Sequence, residues 1–199
     1  MKMTETLKNL GAILLIILVN KKRIVTVLLI IAVIISAVFL YKPYLRRFEY
    51  PLKYSKYVTA SAERFDIDPL LIYSVMKAES KFEPNAKSDK EAQGLMQITP
   101  DTARWALEQI GLDENSDIFR PEVNITVGSW YLAKLIFDHN GDLTAALAAY
   151  NAGSTNVNEW KNGENKLTLD DIQFEETHDY VYKTLEYYEN YKKLYTEGE

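Results

Sequence analysis

Hydrophobic positions along this chain change their pattern twice. Residues 24–41 read IVTVLLIIAVIISAVFLY, eighteen positions without a charge. A helix of that length reaches about 27 Å, close to the ~30 Å hydrocarbon core of a bilayer. Lys21, Lys22 and Arg23 bound the run on one side and Lys42, Arg46 and Arg47 on the other, with Tyr41 and Tyr44 placed for the interface. We read it as an uncleaved, single-pass membrane anchor. A cleaved signal peptide fits less well, because the run is long and no small-x-small site follows. So small a soluble domain also has no need of a uniformly apolar core helix. The shorter run at 10–19 cannot span alone. Basic residues number five on each side of the span, so the positive-inside rule leaves the orientation to be set by function.

After the anchor the period becomes helical. Residues 42–59 form a basic, tyrosine-rich neck, and the folded domain is expected over 60–195. Asp68 followed by Pro69 predicts a helix start, as does Thr99 followed by Pro100 with Gly111 as its stop. A third helix begins near Pro121 and ends at Asn140-Gly141; a fourth is capped by Asp142 and stops at Gly153. A last one runs from about Thr177 to Tyr195. Residues 161–174 are polar and read as a loop with at most a short β-like piece. With no alternating strand pattern elsewhere, the fold class is mainly α.

One position breaks the pattern. Ile72, Val75 and Met76 recur at helical spacing, and Glu79 falls next on the same apolar face. A carboxylate there is desolvated, which raises its pKa, and a carboxylic acid still protonated near neutral pH can protonate a leaving oxygen. The bland alternative is a helix-end glutamate turned to solvent or paired with Lys77 or Lys81. Gln97, in GLMQITP, can both donate and accept hydrogen bonds and suits sugar hydroxyls and acetamido groups. Tyr150 and Asn151 end an alanine-rich helix whose small side chains allow close packing.

Composition narrows the chemistry. The chain has no cysteine, which excludes thiol catalysis and disulfides, and only two histidines, so a multi-histidine metal site is not expected. Residues 43–199 hold 17 basic and 27 acidic side chains, a formal charge of −10. Phosphate binding needs clustered cations, so a nucleic-acid partner is not expected. No cofactor or metal is implied.

The order of ES (79–80), Pro84, Ser88, GLMQITPDTA (94–103), PEVNITVGSWYLAKL (121–135), LAAYNAG (147–153) and FEETHDYV (174–181) resembles the catalytic domain of soluble-type lytic transglycosylases, relatives of goose-type lysozymes. The resemblance covers residues 60–190. It implies a lysozyme-like helical domain that cleaves the β-1,4 bond between N-acetylmuramic acid and N-acetylglucosamine in peptidoglycan. It makes Glu79 the catalytic acid and places Ser88, Met96, Gln97, Ile98, Tyr150, Asn151 and Tyr180 against the glycan, with Glu176 supporting the groove. It sets the domain on the extracytoplasmic face of the cell membrane, with residues 1–23 in the cytoplasm. Two positions depart from the family pattern: Glu91 stands where glycine is usual, and His178 where arginine is frequent. Within the enzyme class the rival is a lysozyme-type hydrolase using Asp89 or Glu91 as a second carboxylate. Outside it, the rival is a non-catalytic peptidoglycan-binding scaffold.

Overall fold

The computed structural model describes residues 21–38 and 48–196. They divide into two compact units, one up to Glu49 and one from Tyr50 onward. In the first unit residues 21–38 form helix α1. Its apolar side chains are exposed, from 46% at Ile31 to 67% at Val33.

The expected span over 24–41 lies only in part within the described residues. Among the described residues, no helix is long and apolar enough to cross a membrane. Within the described residues the charge-free part of α1 covers 24–38, preceded by Lys21, Lys22 and Arg23. Residues 39–41, the run at 10–19 and most of the 1–23 segment lie outside the described residues.

The second unit is helical: α2 (Ser55–Phe65), α3 (Pro69–Ser80), α4 (Pro100–Ile110), α5 (Pro121–Asp138), α6 (Leu143–Ala152), α7 (Ser154–Lys161), a 3-10 turn (Leu169–Asp171) and α8 (Glu175–Tyr195). Local chemistry accounts for the starts. The Asp68 carboxylate accepts from the Leu70 N–H at 2.8 Å, Thr99 Oγ1 from the Thr102 N–H at 3.4 Å, and Asp142 from the Ala145 N–H at 3.2 Å. Each satisfies a helix donor that otherwise has no partner.

α3 is the central element. Seven consecutive residues, Leu70 to Met76, are buried, so the helix is enclosed on all sides rather than along one stripe. It packs against α8 and α2; α5 packs against α2 and α6, and α6 against α7 and α8. Asp68 also accepts from the Tyr188 hydroxyl at 2.6 Å, tying the start of α3 to α8. Five alanine-or-leucine positions of α6, Ala145 to Ala149, have no exposed surface, and their small width brings three neighbours close.

The packed unit begins earlier than residue 60. Tyr50 is buried, its hydroxyl accepts from Asn190 at 3.0 Å, and its carbonyl accepts from the Tyr195 hydroxyl at 2.7 Å. Tyr191 donates to the Pro51 carbonyl at 3.1 Å. Residues 50–59, read as neck, are therefore strapped to α8 or folded into α2.

Two elements differ from the sequence reading beyond Gly153. That glycine, at φ 86°, ends α6 and at the same time starts α7, a helix the pattern did not mark. The 161–174 segment carries a 3-10 turn held by Thr168 and Asp171 instead of a β-like piece. Among the described residues the β-like pairing sits at Lys87–Gln93 and Gln93–Ile98.

Gly128 on α5 faces Met96. A Cβ there would lie 2.5 Å from the Met96 sulfur and 2.8 Å from its Cβ. Gly128→Ala is expected to destabilise the fold by about 1–3 kcal/mol, the cost of overpacking, read as a lower urea midpoint.

Candidate active site

The GLMQ segment enters the core as a bent loop. Gly94 stands at φ 77°, and a Cβ on it would meet the Asn124 side chain at 2.3 Å. Asn124, buried on α5, makes three bonds to this region: its Oδ1 accepts from the Met96 N–H at 2.7 Å, and its Nδ2 donates to the Gln93 and Ile118 carbonyls, each at 2.9 Å. Ser80, the second residue of the ES pair, donates to the Leu95 carbonyl at 2.7 Å. Tyr150 donates to the Met96 carbonyl at 2.8 Å. α3, α5 and α6 thus hold one loop from three sides.

A groove of about 320 Å³ lies along it. Five of the sequence-predicted residues line it: Glu79, Ser88, Gln97, Tyr150 and Asn151. Tyr180 lines an adjoining cavity of about 600 Å³ that shares Glu79, Asn151 and Glu176 with the groove. Met96 and Ile98 are placed differently. Their side chains are buried at 0% and 2% exposure, so Met96 serves the groove through its backbone, and neither side chain lines it.

Hydrogen bonds inside the loop decide which polar atoms face outward. Gln97 stands at φ 47°, and its Nε2 donates to the Ala86 and Gly94 carbonyls at 3.1 and 2.9 Å. Its Oε1 is left to accept. Asn151 Oδ1 accepts from the Thr177 hydroxyl at 2.7 Å, leaving Nδ2 to donate. Ser88 Oγ accepts from the Ala92 N–H at 3.1 Å and keeps its own proton to give. The groove therefore offers both an acceptor and donors, the pairing that hydroxyl and acetamido groups require.

Glu79 occupies the last turn of α3, where groove and cavity meet. Part of it is open to the groove, yet burial pushes its carboxyl up from 4.5 to about 7, with the neighbouring Tyr180 hydroxyl opposing that rise. Burial and the nearby Glu79 charge hold the Tyr150 and Tyr180 hydroxyls well above the ordinary tyrosine range. The Tyr180 hydroxyl is buried without a hydrogen bond of good geometry, and Glu79 is the carboxyl beside it. A half-protonated acid at neutral pH, next to an unengaged donor, is equipped to give a proton and then take one back.

The two carboxylates weighed as partners separate. Asp89 lines the groove; Glu91 instead pairs with Lys87 at 3.1 Å on the surface. Glu91 stands at φ 64°, the left-handed region that glycine adopts without strain. His178 lies 3.7 Å from Asp179. Sequence reasoning missed Lys90 and Thr99 on the groove wall, and Asn124 behind it. Lys90 reaches Glu176 on α8 at 3.9 Å, both highly exposed, and no periodicity marks a loop residue such as Lys90. Asn124 did carry a signal: like Glu79, it is a polar residue inside an apolar run.

The family model for the transglycosylase SLT domain matches residues 56–172, more than half of the chain. The chain belongs to the SLT-domain family. The soluble lytic murein transglycosylase of Salmonella typhimurium is 31% identical over 146 residues, covering 69% of this chain and 23% of that protein. The membrane-bound lytic murein transglycosylase C of Serratia proteamaculans is 34% identical over 116 residues, 53% of this chain and 32% of that protein. Among solved structures, an inactive glutamate-to-glutamine variant of lytic transglycosylase Slt from Pseudomonas aeruginosa superposes with a TM-score of 0.70 at 29% identity, covering 74% of this chain and 25% of that one. The chain thus spans a quarter to a third of the length of these relatives. The mainly α, lysozyme-like architecture is the one the SLT domain carries.

The raised Glu79 pKa carries a stability cost with a definite sign. Below pH 4.5 the carboxyl is neutral both folded and unfolded; between 4.5 and about 7 the unfolded chain ionises first, so stability falls across that window and the cost is complete above it. Glu79→Gln is expected to be more stable than the native chain at about pH 8 by up to about 3 kcal/mol, with the gap closing below the solvated carboxylate range. Urea titrations at both ends of that range check it.

Proposed function

We propose that this chain is a peptidoglycan lytic transglycosylase with Glu79 as its single acid and base. The observation that carries the reading is a buried carboxyl at about 7 on the floor of a polar groove, in a chain of the SLT-domain family. Protonated Glu79 donates to the glycosidic oxygen between N-acetylmuramic acid and N-acetylglucosamine, and that bond breaks. Positive character develops at C1 of the muramic ring. The C6 hydroxyl of the same ring attacks C1, and the Glu79 carboxylate takes its proton. A 1,6-anhydro end forms and no water is consumed. Tyr180 is placed to donate to the carboxylate in the interval when it is ionised. Gln97, Asn151 and Ser88 hold the sugar substituents. Lytic action is named for the relatives above, and the inactive Pseudomonas variant differs at a glutamate.

The second reading, hydrolysis, draws on Asp89, which shares the groove and could order a water. Digestion of purified peptidoglycan by the full chain separates the two. Products one water lighter than their reducing-end counterparts, by mass spectrometry, are expected, and Glu79→Gln is expected to lose turnover by at least about a thousandfold. Ordinary reducing ends would establish hydrolysis instead.

Membrane association through the apolar N-terminal region is part of the proposal. Its support is the exposed apolar surface of α1, basic residues at its start, and a relative named as membrane-bound. The catalytic unit then works on the outer face of the cytoplasmic membrane, where peptidoglycan lies.

General-acid action requires the protonated form, so kcat/KM is expected to fall as pH rises through about 7. Tyr180 holds that value down, so Tyr180→Phe is expected to move the alkaline limb to higher pH while lowering kcat. An unmoved limb would remove Tyr180 from this role.

A further inference from the structure

A row of aromatic rings leads away from the groove. Tyr150, in the groove wall, lies 5.4 Å from Tyr131 between ring centroids; Tyr131 lies 6.2 Å from Trp105, and Trp105 lies 4.9 Å from Trp130. All four retain exposed surface, and Trp105 is 38% exposed. α4 gives a second connection, since Thr99, the residue that caps it, also lines the groove. Ala103, Ala106 and Leu107 form the buried face of α4; Trp105 stands beside it, meets Trp130 and Tyr131 of α5 edge to face, and keeps exposed surface. Lys134, itself bonded to Asp138 at 2.6 Å, lies over the Trp105 ring at 5.8 Å and limits its motion.

We propose that Tyr131 and Trp105 extend the glycan path beyond the catalytic groove, each ring giving an apolar face to one further sugar of the strand. This rests on the glycan reading above and adds the direction in which the strand leaves Glu79. Successive rings about one pyranose apart suit a β-1,4 glycan, whose sugars present C–H faces to aromatic surfaces and hydroxyls to water. A uniform polymer needs such repeated, weakly selective contacts, and Trp offers the largest face at little conformational cost. A tryptophan that packs edge to face on its neighbours, stays partly exposed and connects through Tyr131 and Tyr150 to the groove leaves apolar surface for a ligand.

The test uses the full chain carrying Glu79→Gln, so that oligomers bind without cleavage, titrated with a short and a long N-acetylglucosamine oligomer. With Trp105→Ala added, affinity for the long oligomer is expected to fall roughly tenfold and for the short one by much less, while the melting temperature stays put. Trp105→Phe is expected to recover most of the loss. Equal losses at both lengths, no loss at either, or no binding of the long oligomer at all would overturn the extension. Cleavage of peptidoglycan by the native chain is scored separately: if it is absent the transglycosylase reading fails, and if it is present while binding ignores Trp105, only the aromatic path fails.

Discussion

Three hydrogen bonds from one buried side chain organise this domain. Asn124 satisfies the Met96 N–H and the Gln93 and Ile118 carbonyls at once. Buried backbone groups without partners cost about 1–3 kcal/mol each, so a loop can enter the core only if something like Asn124 receives it. Once the loop is there, its carbonyls at Leu95 and Met96 become anchor points for Ser80 and Tyr150. Those two residues sit beside Glu79 and Asn151. The amide on α5 therefore acts on the site through the loop, without lining the groove.

The same arrangement makes Glu79 reactive. Its shift has two causes, burial and the Tyr180 hydroxyl, and among the described residues no cation is one of them. Burial is left as the dominant influence, opposed in part by Tyr180. A lysine in that position would have lowered the pKa and left a permanent carboxylate, useless as an acid at neutral pH. The fold gives up stability above about pH 4.5 to keep the proton on up to about pH 7.

Helix starts were legible because their chemistry is local. Asp68, Thr99 and Asp142 each cap the helix their position announced. Glu79 was legible because a carboxylate on an apolar face conflicts with its surroundings. Asn124 conflicts in the same way, but an amide has many bland uses, and two of its three partners, Met96 and Gln93, lie 28 and 31 residues away in sequence, where periodicity says nothing. α7 was hidden because Gly153 reads as a stop, and a glycine at φ 86° can end one helix and open the next. The groove-facing atoms of Gln97 and Asn151 follow from which of their own atoms the loop and α8 have already taken. The placement of Met96 and Ile98 turned on loop curvature, which the apolar pattern does not encode.

The run of buried small residues in α6 bears on how this domain can change over time. Ala145, Ala146, Ala148 and Ala149 have no chemistry to contribute, yet each sets the spacing between helices that carry Tyr131, Asn151 and Thr177. A larger side chain at any of them would spread those helices and misalign groups on which turnover depends. Drift is then channelled to the exposed, charged faces, which can exchange freely. The least substitutable positions in such a domain include its plainest ones, and an inventory of reactive groups alone would overlook them.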